Sequence, residues 1–368
     1  MRRPATSLGA MRRALVPLVM AARLLTLPST AAAPVPDVDP ARVRPIIAAF
    51  TQNDERHPAN TTEVLAASYV KWVEAAGGRV IPIRRGDSEA RVRAVMARSD
   101  GLLFPGGGGD PPESALLAFA LAMAAGTQGV PVPVWGTCLG FEWIMQIVSG
   151  DLGVLESKLD AWNLSLPLHL HGEAAAHSRL LGGLMYADMR KALEDHPLTT
   201  NNHHLGISPE AFASHPLLAR DLVSLSTSKD RLGHPFISTV EGRSLPIGAT
   251  QWHPEKALFE WGWTPGVGPF EAIEHSWQAQ RAAQHLANVF LGEARIAAAA
   301  ALARGRVPPV DDSRSELVWT YATSDASYPA FELTFLVTPR PPPVLVEGAV
   351  AVLPPGDEGW KQRLFARR

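Results

Sequence analysis

The stretch Val132–Trp143, VPVWGTCLGFEW, constrains the fold of this chain more than any other. An apolar run leads into Gly136 and Gly140, two residues either side of Cys138, and a second apolar run follows. This reads as strand, tight turn, helix, with the spacing of a Gly-x-nucleophile-x-Gly elbow and Cys in place of Ser. A side chain at either glycine would collide with the neighbouring strand or helix as the chain reverses. Cys138 would then stand at a helix N-terminus, where unpaired N–H groups favour a thiolate. The Leu139 N–H would point into the same space, as a donor for an oxyanion. The competing reading is a packed core cysteine beside two incidental glycines.

The rest of the chain supplies the alternation such an elbow needs. Strand-type runs at 44–50, 79–83, 101–104 and 132–135 are separated by helical patterns at 61–77, 88–99 and 112–126. Asn60 or Thr61 is placed to cap the first helix and Gly77 to end it. This order predicts an α/β fold, an open, mostly parallel, doubly wound sheet with helices on both faces. From about Gly150 to Leu222 the pattern is irregular. Strand-type runs return at 222–228, 235–242 and 245–252, a helical pattern fills 271–303, and strand-type runs at 316–322 and 331–337 add a few extra strands.

The ends read differently. Residues 1–33, with Arg2, Arg3, Arg12 and Arg13 ahead of an apolar stretch and the small residues of STAAAPVP, have the layout of a signal peptide. Arg23 interrupts the apolar stretch, so an organellar or disordered extension is the alternative. Secretion, or delivery to a lysosome or vacuole, is the expected route. A catalytic domain is expected over 44–338, with no later segment long and apolar enough to span a bilayer. Residues 339–368 form a Pro-rich tail with no core of its own. Asn60 and Asn163 head N-x-S/T triplets.

With 34 Lys+Arg against 36 Asp+Glu, a formal charge of −2, the chain has no electrostatic case for a nucleic-acid partner. Its only cysteine excludes an internal disulfide, and an unpaired thiol in a secreted chain points to reactivity. No zinc-type Cys spacing or His-Glu-x-x-His occurs, so neither a metal nor a cofactor is expected.

A thiol nucleophile needs a base and a group to orient it. In QWHPEK (251–256), His253 and Glu255 lie two apart at the end of a strand-type run, on one side of an extended backbone, and Pro254 favours that extension. An exposed ion pair is the plainer alternative. The glycine loop FPGGGGD (104–110) offers Gly106 or Gly107 as a second oxyanion donor, or is merely a turn. In LTTNNHHLGIS (198–208), His203 and His204 fall in a polar loop, open to either a substrate contact or solvent. The tryptophans around Trp252, Trp261 and Trp263 read as packing.

Taken together, VLAASYVKWVEAAGGRVIPI, GLLFPGG, PVWGTCLGFE, LTTNNHHLGIS, FISTVEG and QWHPEKALFEW, in that order between about Pro45 and Trp261, resemble the gamma-glutamyl hydrolases of the class I glutamine amidotransferase-like group. The resemblance implies Cys138 as nucleophile, His253 as general base and acid, and Glu255 as the orienting carboxylate. It implies an oxyanion hole from the Gly106, Gly107 and Leu139 amides, and substrate contact by His203. The implied substrates are small molecules, poly-γ-glutamyl folates, cleaved through a thioester, with a homodimer left open. A glutaminase-type amidotransferase subunit and an inactive binding protein on the same fold are the alternatives. Four glycines in the loop, the extra His204 and the Pro-rich end depart from the family pattern.

Overall fold

Along β1 (Ile46–Phe50) every residue is buried, yet the strand feeds two separate cores. Ile46, Ala48 and Phe50 belong to one cluster, while Ile47 and Ala49 belong to the other. Period-two alternation explains this, since successive side chains leave a strand on opposite faces. The structure, a computed structural model, describes residues 39–40, 43–54, 62–182, 187–306, 316–328 and 331–341. The leader at 1–33, the Asn60 sequon and all but the first residues of the Pro-rich tail lie outside them.

After β1 come β2 (Gln52–Asn53), β3 (Glu63–Ala66), α1 (Ala67–Ala75), β4 (Arg79–Ile83), α2 (Glu89–Met96), β5 (Gly101–Phe104), α3 (Glu113–Thr127), β6 (Val134–Thr137) and α4 (Leu139–Ser149). There follow β7 (Glu156–Leu166), β8 (His169–Leu170), α5 (Gly172–Ala176), α6 (Ala187–Asp195), β9 (Thr199–Gly206), α7 (Pro209–Ser214), α8 (Pro216–Asp221), β10 (Leu222–Lys229), β11 (Pro235–Gly242) and β12 (Ile247–Thr250). The chain continues through α9 (Lys256–Phe259), β13 (Trp263–Thr264), β14 (Gly268–Pro269), α10 (Trp277–Ala303), β15 (Ala322–Tyr328) and β16 (Phe331–Val337).

The main sheet runs β4-β1-β5-β6-β12-β11-β10-β8. Its first five strands are parallel, and β11, β10 and β8 extend it in antiparallel fashion. One core holds residues of α2, α3 and α4, the other residues of α1, α6 and α10. The fold is therefore an open, mostly parallel, doubly wound sheet covered on both faces, as the sequence predicts. Beneath the elbow, Trp135 of β6 packs against Trp72 at 5.2 Å and Phe290 at 6.0 Å between ring centroids. The Trp72 Nε1–H also donates to the Ala283 carbonyl at 2.9 Å, locking α1 onto α10.

Several expected elements come out differently. The helix expected over 61–77 begins only at Ala67, capped by no side chain, because Glu63–Ala66 are a strand. That strand pairs with β2 on one side and β16 on the other, in the separate sheet β15-β16-β3-β2. The irregular middle contains a two-stranded ribbon of β7 and β9, so His203 and His204 lie on a strand rather than in a loop. The run 316–322 is a 3₁₀ turn at Val318–Thr320 followed by the start of β15. The last helix starts at Trp277, where the Ser276 hydroxyl accepts the Ala279 N–H, instead of at 271. Against the expectation for later segments, α10 is long and apolar enough to cross a bilayer. Here its apolar stripe, Ala279, Ala283, Leu286, Phe290 and Leu291 among others, is buried against the sheet.

Candidate active site

β6 ends at Thr137 and α4 starts at Leu139, leaving Cys138 alone to reverse the chain, at φ 53° and ψ −107°. Such a backbone is strained by about 1–3 kcal/mol for a residue with a Cβ. Its surroundings hold it there. The Cys138 N–H donates to Thr250 O at 2.9 Å, and the first backbone bond of α4 runs from Glu142 N–H to Cys138 O at 3.0 Å. The Leu139, Gly140 and Phe141 amides therefore fall at the helix start, ahead of its first bond. The two glycines are obligatory on packing grounds. A Cβ on Gly136 would lie 2.5 Å from the Gly140 carbonyl oxygen, and one on Gly140 would lie 2.0 Å from the Phe104 carbonyl oxygen.

β12 runs parallel to β6, with Thr250 beside Thr137, so the segment after β12 arrives next to the elbow. There His253 Nδ1 lies 2.7 Å from Glu255 Oε1, both side chains almost fully buried. The His253 N–H donates to Thr200 O of β9 at 2.8 Å, tying this turn to the ribbon. Glu255 is the N-cap of α9, so Pro254 and the short helix fix the carboxylate. The glycine loop after β5 closes the third side. A Cβ on Gly106 would be 2.8 Å from His253 Cε1 and 3.4 Å from Cys138 Cβ, so the two side chains flank one glycine. The structure thus brings Cys138, His253, Glu255, Gly106, Gly107 and Leu139 into one place.

Not all of them are disposed as expected. The Gly106 N–H is taken by the Tyr69 hydroxyl at 2.8 Å, so it is not available to an oxyanion. Gly107, at φ 153°, keeps its amide without a hydrogen-bond partner among the described residues. His203 is buried, with Nδ1 2.7 Å from Leu205 O and Nε2 3.2 Å from Asn201 Oδ1. Burial lowers its pKa to about 4, with the nearby His253 adding to the effect, so the ring is neutral and turned toward its own strand. His204 points the other way and stacks on the exposed Trp162, 5.2 Å between centroids. Of the tryptophans expected as packing, Trp252 is buried while Trp261 and Trp263 are more than half exposed.

The thiolate expected at the helix N-terminus is likewise disfavoured. Burial, and then the charge of Glu142, push the Cys138 thiol well above its usual range, and the pull of Lys256 and of the Leu139 N–H does not offset them. The resting group is a thiol, which makes proton removal by a base part of any attack. Its sulfur lies 3.9 Å from Asn202 O.

Three side chains here, those of Tyr69, Asn202 and Glu142, were not singled out in the sequence. Tyr69 bridges the Gly106 amide and the imidazole, its hydroxyl 3.3 Å from His253 Nδ1. Asn202 accepts from the Asn163 N–H at 3.0 Å and donates to Glu271, which also pairs with the buried Lys256. Glu142, one turn into α4 from Cys138, is buried with Gln251 Nε2 3.1 Å away as its partner. The only legible signal was the polar Glu142 inside the apolar run FEWIMQIV, at i+4 from the cysteine.

Burial raises the Glu142 pKa to about 8, only partly opposed by Gln251. A carboxyl whose folded pKa lies above its unfolded value stabilises the fold fully below the unfolded value, near 4.5, and loses that contribution as pH rises through about 8. Urea midpoints of the wild type should therefore fall between pH about 5 and 8. Glu142→Gln should flatten that part of the profile. Parallel profiles for the two proteins would show that Glu142 is not the group responsible.

Residues 45–255, more than half of the chain, match the family described as Peptidase C26. The chain belongs to the Peptidase C26 family. Among its relatives, gamma-glutamyl hydrolase of Homo sapiens is 36% identical over 236 residues, 63% of this chain and 71% of its own length. Gamma-glutamyl hydrolase B of Dictyostelium discoideum is 34% identical over 237 residues, 63% of this chain and 66% of its own. Gamma-glutamyl hydrolase 1 of Arabidopsis thaliana is 33% identical over 237 residues, 63% and 65%. The matched region thus spans about two thirds of each of these relatives. Among solved structures, the glutaminase domain of Trypanosoma brucei CTPS with bound acivicin aligns at a TM-score of 0.39 and 15% identity, covering 67% of this chain and 93% of that one. Every residue of the Cys138, His253 and Glu255 cluster falls inside the segment that matches the C26 family.

Proposed function

We propose that this C26 protein is a cysteine hydrolase that cleaves γ-glutamyl bonds of poly-γ-glutamates, including folyl poly-γ-glutamates. The observation that carries the proposal is the convergence of a strained Cys138 elbow with a buried His253–Glu255 pair across one glycine, in a chain whose relatives are gamma-glutamyl hydrolases. In this reading His253 takes the proton from the Cys138 thiol as sulfur attacks the γ-carbonyl. Glu255 holds the imidazole by Nδ1 and supports the imidazolium that results. The carbonyl oxygen, now an oxyanion, falls to the amides of Leu139 and Gly107. Collapse breaks the C–N bond, His253 returns its proton to the departing amine, and a γ-glutamyl thioester remains. Water then attacks the thioester with His253 as base, releasing the γ-carboxylic acid and the thiol.

Two observations set this reading above the alternatives. The cluster is intact, which a binding protein does not require. The glycine loop also borders a cleft into which a leaving group larger than ammonia can pass, which a glutaminase does not require.

The test is a comparison of linkages. Incubation of the purified chain with a γ-linked glutamate oligomer, its α-linked isomer and free glutamine, with products followed by mass, should show efficient cleavage of the γ-linked chain alone. An α-linked carbonyl would be displaced from Cys138, and about 1 Å of misplacement costs around a hundredfold. Equal rates on both isomers would indicate a general peptidase, and preference for glutamine would indicate a glutaminase.

A further inference from the structure

The cleft beside the glycine loop, about 110 Å³, has the apolar Val64, Leu65, Pro105 and Phe331 in its lining. That is room for several water-sized groups. Its lining is polar at Gln52, the cross-strand neighbour of Val64. Gln52 lies flat against Gly107, where a Cβ would meet its Cδ at 2.6 Å. Arg85 Nη1 donates to Gln52 Oε1 at 3.2 Å, which fixes the amide so that Nε2 is the free end. Nε2 is buried and has no hydrogen-bond partner among the described residues, a costly state for a donor unless something else occupies the site. The Arg85 guanidinium itself bonds neutral acceptors, Gln52 and the Asp110 carbonyl, and lies over the Trp143 ring at 5.1 Å. The neighbouring Glu63 is already engaged by Thr51, Arg84 and the amides of Arg85 and Gly86. A waiting donor backed by a cation selects for an anion.

We infer that Gln52, backed by Arg85, is a recognition site for the α-carboxylate of the leaving glutamate. The inference rests on the γ-glutamyl reading and deepens it. Its chemistry follows from the leaving group. When a γ-glutamyl bond is cut, the departing nitrogen and the α-carboxylate share one Cα, so nitrogen and carboxyl carbon are only about 2.5 Å apart. The nitrogen must sit at His253, which touches Gly106. The carboxylate then falls one residue further along the loop, where Gly107 meets Gln52. The methylenes of the leaving unit lie along the apolar part of the lining. The lining includes Phe331 and Thr334 of β16, beyond the residues that match the family. Ammonia leaving from glutamine carries nothing for this site, so Gln52 favours chain cleavage over glutaminase action.

The experiment measures kcat/KM on two substrates, γ-glutamyl-glutamate and the same dipeptide with the leaving unit's α-carboxylate converted to a primary amide. The ratio of the first to the second should fall tenfold or more in Gln52→Leu. In Gln52→Glu, which keeps the size and sets a like charge against the carboxylate, it should fall further. Because a ratio is read, a general loss of folded protein does not mimic the effect. A ratio within twofold of wild type in both variants overturns the assignment. A wild-type protein that cleaves neither γ-linked dipeptide overturns the γ-glutamyl reading, and this subsite with it.

Discussion

Cys138→Ala is expected to lose turnover by roughly a millionfold, the scale found when a hydrolase nucleophile is removed, while folding normally. The physical basis is the division of labour at the elbow. The fold is held there by Gly136, Gly140 and the backbone bond from Cys138 to Thr250 O, none of which involves the thiol. Alanine keeps the Cβ and the positive φ, so the urea midpoint should barely move. His253→Ala should cost nearly as much activity, because residues that act as a unit are not additive. Glu255→Gln should be milder, since the amide keeps some of the contact to His253 Nδ1 and loses only the charge. Measured turnover of Cys138→Ala within a hundredfold of wild type would end the thiol mechanism. A fully active Glu255→Gln would remove the orienting role from that carboxylate.

The second large effect is on stability. Gly140→Ala should destabilise the protein by about 3 kcal/mol or more, at the upper end of overpacking costs. Its new Cβ would sit 2.0 Å from the Phe104 carbonyl oxygen and 2.7 Å from that carbonyl carbon. Both are backbone atoms of β5, in the middle of the parallel sheet, so relief requires moving a strand or displacing α4. Either movement also shifts Cys138 against the glycine loop, so activity should fall with stability. Gly292→Ala is the control. It lies within α10 with nothing inside 4 Å of a new Cβ, and should stabilise by about 0.5–1 kcal/mol. The comparison is read from urea midpoints at constant m-value. Equal midpoints for Gly140→Ala and wild type would mean that α4 does not pack on β5 as described.

Much of this molecule is legible in its sequence, and the reason is locality. The alternation of short apolar strands with helical patterns from Pro45 to Ser149 is a property of neighbouring residues, and so is the Gly136–Cys138–Gly140 elbow. Turn, strand and helix each need only a few adjacent side chains, so their signals survive without a partner in view. The pairing of His253 with Glu255 is local too, two residues apart across a proline.

What only the tertiary structure decided concerns groups distant in the chain. Residues 63–66 read as the start of a helix because their strand partner, β16, lies some 270 positions away. The Gly106 amide looked available because Tyr69, which occupies it, belongs to another helix. The helix N-terminus at Cys138 promised a thiolate, and burial under the loop, ribbon and α9 reversed that sign. Gln52 carried no motif at all, and its buried Nε2, unpartnered among the described residues, exists only where β2 meets the glycine loop. Sequence determines which residues can do the chemistry, because side-chain type and local spacing are written in it. Hydrogen-bond occupancy and desolvation depend on which remote atoms arrive alongside, and the fold alone supplies those.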